Sequence, residues 1–86
     1  MLADVRYESF AQAEIARLEE LRLQATEDRI EAELALGRHE DLIAELEALV
    51  AEQPLRERLR AELMLALYRA GRQADALAAY RETRKA

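Results

Sequence analysis

Leu36-Gly37-Arg38-His39-Glu40-Asp41-Leu42 and, further along, Ala70-Gly71-Arg72-Gln73-Ala74-Asp75-Ala76 contain the only two glycines of the 86-residue chain. Each glycine follows one run of apolar residues at three- and four-residue spacing and precedes another. Each therefore reads as the left-handed residue that closes a helix just before the next one starts. The single proline, Pro54, follows Gln53 and suits the first turn of a new helix. Ser9 and Gln12 have the spacing of a capping box and mark a helix start. These breaks predict four helices, about 9–36, 39–52, 55–70 and 73–85, after an N-terminal segment 1–8.

Composition supports the same division. Ala, Leu, Glu and Arg supply 18, 15, 14 and 12 residues, all strong helix formers, whereas Val, Ile and Thr together number seven. An all-β or α/β fold is excluded. No cysteine means no disulfide, no thiolate nucleophile and no Cys-ligated zinc, and it fits a reducing cytoplasm. Asp4 and Arg6 interrupt the start, so no signal-peptide core is present, and no apolar run is long enough to span a membrane.

Gly37-Arg38 recurs as Gly71-Arg72 after 34 positions, the period of tetratricopeptide helix hairpins. In that register Gly37, His39, Leu42, Leu46, Leu49 and Pro54 occupy the turn glycine, early second-helix and closing-proline positions. Gly71, Ala76 and Tyr80 occupy the glycine, small-residue and aromatic positions of the next copy. The expected fold is all-α: a tetratricopeptide-like stack of two antiparallel hairpins, repeat one over 23–56 and repeat two over 57–86, the second cut short. Leu42, Leu46, Leu59, Leu63, Leu67 and Leu77 are the predicted core. Leu55 joins the apolar stripe of the third helix, and Ala74 with Leu77 that of the fourth.

The first helix is longer than its repeat requires. On a helical wheel Ala11, Ile15, Leu18, Leu21, Ala25, Ala32 and Leu36 share one face, and Leu23, Ile30 and Leu34 a nearly opposite one. Its C-terminal half is thus expected to be covered on two sides. Its extension, with Ala11, Ile15, Leu18, Leu21 and the flanking Arg22, is left as a candidate interaction surface.

Net charge is −5, but residues 1–53 carry 14 acidic against 5 basic side chains and residues 54–86 carry 4 against 8. The acidic total disfavours nucleic-acid binding, and the one basic cluster, Arg56, Arg58 and Arg60, is diluted by Glu57 and Glu62. Glu27 and Glu31 read as local surface partners of Arg22 and Arg29. His39 is the only histidine and reads as a turn or packing residue. Tyr68 and Tyr80 read as core packing. No catalytic residue, cofactor site, metal site or small-molecule site is expected, and the partner classes left are protein alone.

Leu18-Glu19-Glu20-Leu21-Arg22-Leu23-Gln24-Ala25, Pro54-Leu55-Arg56-Glu57-Arg58-Leu59 and Leu67-Tyr68-Arg69-Ala70-Gly71-Arg72-Gln73-Ala74-Asp75-Ala76-Leu77 together resemble the bacterial transcriptional activator domain. That domain occurs in regulators of the Streptomyces antibiotic regulatory protein type and their actinobacterial relatives. The resemblance implies a helical domain that follows a winged helix-turn-helix, with a role in protein contacts, self-association or signal reception. It places the DNA-binding domain outside this chain. The alternative is a helical-repeat scaffold or adaptor segment of a large multidomain protein.

Overall fold

The computed structural model describes residues 2–85, with side chains from Arg6 to Glu82. Four helices follow one another: α1 (Leu2–Ala35), α2 (His39–Glu52), α3 (Glu57–Arg69) and α4 (Gln73–Lys85). No strand occurs among the described residues. α2 packs on α3 and α3 on α4, while the C-terminal half of α1 rests on α2 and α3. The fold is all-α and tetratricopeptide-like.

Gly37 and Gly71 adopt φ of 84° and 81°, the left-handed conformation that both were expected to supply. The two helix ends are closed identically. The Gly37 N–H donates to the Leu34 carbonyl at 3.0 Å and the Arg38 N–H to Glu33 at 3.2 Å. The Gly71 N–H donates to Tyr68 at 3.1 Å and the Arg72 N–H to Leu67 at 2.8 Å. This pair of bonds is the Schellman closure, repeated at the 34-residue period.

The core unites Ile30, Leu34, Leu42, Ile43, Leu46, Leu59, Leu63, Ala66, Leu67 and Ala76, with Leu49 and Val50 packed against it. Ile30, Leu46 and Leu59 are fully buried, each contributing about 1.5–3 kcal/mol relative to an exposed side chain. The molecule measures 58 × 30 × 14 Å. The short dimension is two helix layers: about 8–10 Å between axes plus twice the ~2.3 Å Cα radius. The long one is set by α1, whose 34 residues span about 51 Å. A radius of gyration of 16.7 Å against the ~12 Å of a compact chain of this size records the same extension.

Several sequence expectations are corrected. α1 begins at Leu2, so residues 2–8 are not a separate segment and Ser9 lies inside the helix, capping nothing. No breaker precedes Ser9, and a helix propagates through such residues once nucleated. α3 starts at Glu57, two residues later than expected. The Gln53 carbonyl accepts from the Arg56 N–H at 3.2 Å, forming a turn around Pro54-Leu55 that puts Leu55 86% in solvent. α4 buries Ala76 and half-buries Ala79, whereas Ala74 and Leu77 are exposed. Its close approach to α3 admits the small side chains and turns Leu77 outward. Tyr68 and Tyr80, expected to pack in the core, lie outside it at 61% and 44% exposure.

Candidate functional site

α1 is apolar on two faces, but only one is covered. Ile30 and Leu34 are buried and Leu23 half-buried toward α2 and α3. On the other face Ala11 is half-buried, whereas Ile15, Leu18, Leu21, Ala25, Ala32 and Leu36 are all exposed, as is Arg22 at its margin. The expectation that the C-terminal half of α1 is covered on both sides therefore fails. α2 and α3 both lie on the Ile30 side, and no described residue packs on the other. Phe10 at 68% and Tyr7 at 73% exposure extend the stripe toward the N-terminus. Tyr7 fell outside the expected helix, which began at Ser9, and Phe10 was left out of the stripe although it lies within that helix at its margin.

The covered side of α1 is held by charge. Glu27, 1% exposed, accepts from Arg56 Nε at 3.0 Å and from Arg56 Nη2 at 2.8 Å, and the remaining Arg56 nitrogen donates to Glu20 at 2.6 Å. Arg56 is the N-cap residue of α3, so this fork joins the α2–α3 turn to α1. Its hydrogen bonds to Glu27 and then Glu20 hold the Arg56 guanidinium well above its usual range. The Arg56 bond, with help from Gln24, pulls the Glu20 carboxyl below its usual value. Arg58 Nη2 donates to Asp28 at 2.8 Å and to Glu31 at 2.6 Å. Arg29 pairs with Glu33 at 2.7 Å and also with Glu45 of α2.

These pairings overturn the local reading. Glu27 and Glu31 meet Arg56 and Arg58 from a distant element, not Arg22 and Arg29 from their own helix. Two members of the basic cluster 56–60 are thereby committed within the chain. His39 opens α2 half-buried, its Nδ1 enclosed without a hydrogen-bond partner among the described residues. Among the described residues no three His, Cys, Asp or Glu side chains converge on a cation position, and no helix is long and apolar enough to cross a membrane. Gly37, Pro54 and Gly71 occupy the three connections and Ala76 the α3–α4 contact, with Tyr80 one turn beyond it.

The family model of the bacterial transcriptional activator domain matches residues 1–86. Regulatory protein AfsR of Streptomyces griseus is 55% identical over 76 residues, covering 88% of this chain and 8% of that protein. Regulatory protein DnrI of Streptomyces peucetius is 51% identical over 72 residues, covering 84% and 26%. Transcriptional regulatory protein EmbR of Mycobacterium bovis is 43% identical over 84 residues, covering 98% and 22%. No solved structure matches the chain. The chain thus spans about a quarter or less of the curated relatives it matches. With a match along its whole length and identities of this size, the chain belongs to the bacterial transcriptional activator domain family.

Proposed function

We propose that this chain is the non-catalytic interaction and self-association module of a bacterial transcriptional activator, working in the cytoplasm beside a DNA-binding domain carried elsewhere in the parent protein. One observation carries the reading: the outer face of α1 presents Ile15, Leu18 and Leu21 at 56%, 54% and 47% exposure on a helix that projects past its own core. A contiguous apolar face of that kind is energetically out of place in water and marks a protein interface. A symmetric pair is the commonest closed arrangement for identical chains. The relatives support the regulatory setting by name, and the segment occupies 8% of one and 26% of another, as a portable module does. The net charge of −5, with Arg56 and Arg58 paired internally, supports placing DNA recognition in another domain.

Sedimentation equilibrium tests the reading. The wild-type chain is expected to dimerise in the micromolar range, and Ile15→Glu with Leu18→Glu to be monomeric with unchanged circular dichroism, since neither residue belongs to the core. A wild-type chain that remains monomeric at high micromolar concentration overturns self-association. Nanomolar, sequence-dependent DNA binding in a gel shift at physiological salt overturns the assignment of DNA recognition to another domain.

A further inference from the structure

The apolar residues on the outer face of α1 are spaced symmetrically about Leu18. Ile15 and Leu21 stand three residues to either side of it, and Ala11 and Ala25 seven. At about 100° per residue these offsets keep all five within about 60° of Leu18 on the wheel, so they form one strip. Leu18 is also the middle of the helix. α1 runs from Leu2 to Ala35, with 16 residues before Leu18 and 17 after it.

Charge is arranged about the same centre with opposite sign. Glu14 lies four residues before Leu18 and Arg22 four after it, each bordering the strip. Arg22 is exposed and makes no ion pair among the described residues. Glu14 is bonded to Arg17, an exposed pair of the kind that contributes little and leaves a carboxylate with lone pairs to spare. A two-fold axis through Leu18, perpendicular to α1, lays a second α1 antiparallel on the first and maps the strip onto itself, as a symmetric interface requires. It brings Ala11 of one copy level with Ala25 of the other. It also sets each Glu14 level with the Arg22 of the other copy, about 6 Å along the helix from Leu18. With helix axes about 9 Å apart, those two side chains are within ion-pair reach. A parallel pair does the reverse: Glu14 meets Glu14, Arg22 meets Arg22, and the helix dipoles align.

We propose that two copies of this chain pair through the outer faces of α1, antiparallel and centred on Leu18, with two Glu14–Arg22 ion pairs flanking the apolar strip. The proposal rests on the self-association reading above and adds to it the orientation and register of the pair. Because α2 and α3 pack on the Ile30 side of α1, the hairpins of the two copies lie on opposite outer sides of the paired helices.

The chain has no cysteine, so single introduced cysteines report the register directly. Under mild oxidation, Ala11→Cys and Ala25→Cys are expected to link to each other when mixed. Neither is expected to link to itself, since like positions then lie about 21 Å apart along the helices. Leu18→Cys, on the axis, is expected to link to itself. Arg22→Glu is expected to weaken dimerisation about tenfold in sedimentation equilibrium, and adding Glu14→Arg to restore it, because the two ion pairs are then rebuilt with the charges exchanged. None of these positions belongs to the core, so unchanged circular dichroism is expected throughout. In a parallel pair Arg22→Glu only exchanges one like-charge contact for another, and Ala11→Cys links to itself. Either result overturns the proposal and leaves self-association standing, whereas a wild-type chain that stays monomeric at high micromolar concentration overturns both.

Discussion

Arg56 grips Glu27 through both of its carboxylate oxygens, at 2.8 and 3.0 Å, across 29 residues of sequence. Glu27 faces the core side of α1 beside Ile30, and Arg56 caps α3. The pair therefore fixes where the C-terminal half of α1 sits against the turn that launches α3. A two-pronged geometry and a 1% exposed carboxylate make it a different object from a surface ion pair.

Arg56→Ala is expected to destabilise the fold by about 3 kcal/mol in urea titration, because it leaves Glu27 buried without its partner. Glu27→Leu combined with Arg56→Leu is expected to recover most of that loss, since the penalty comes from the orphaned charge and not from a missing attraction. A double variant no more stable than Arg56→Ala contradicts this account.

Glu62 makes stability depend on pH in the direction opposite to an ordinary paired carboxylate. Burial, together with the like charges of Glu27, Glu31 and Asp28, pushes its carboxyl up to about 7 against the pull of Arg58. That lies above the 4.5 of a free glutamate, so between those values the folded chain holds a proton that the unfolded chain has released. The contribution is fully present below about pH 4.5 and is lost as pH rises through 7. The loss is of order 3 kcal/mol. Glu62→Gln should be more stable than wild type at pH 8, and the difference should shrink toward pH 5. Thermal melts of both proteins across that range measure it.

Gly71→Ala is expected to cost about 1 kcal/mol. An added Cβ meets no atom within 4 Å, so the cost is that of holding a non-glycine residue at φ 81°. For a domain of this size that is a fall of about 4–8 °C in Tm by calorimetry.

Leu67 and Leu77 are expected to behave oppositely. Leu67→Asp places a carboxylate at a site 4% exposed, costing several kcal/mol and unfolding a small domain. Leu77→Asp, at 56% exposure, should cost about 0.5 kcal/mol, mostly through helix propensity. Circular dichroism of the two variants separates them.

The amino-acid sequence by itself determined the helical class, the bounds of α2 and α4, the closures at Gly37 and Gly71, and the burial of Leu42, Leu46, Leu59, Leu63 and Leu67. Those features depend on backbone conformation within one turn and on which residues share a helix face, and both are set locally. Tertiary structure decided which face each helix buries. Spacing alone could not tell Ala76 from Leu77 on α4, nor show that the Ala25 side of α1 stays bare while the Ile30 side is covered. It also decided the pairing of charges. Glu27 and Glu31 have arginines within reach on their own helix, yet they pair with Arg56 and Arg58, 27 to 29 residues away. Packing brings α3 against α1 and excludes water there. Glu31 pairs with Arg58 at the exposed edge of that contact. For Glu27 the partner that shares its buried site wins over those in solvent, because charge attraction is stronger where water is absent.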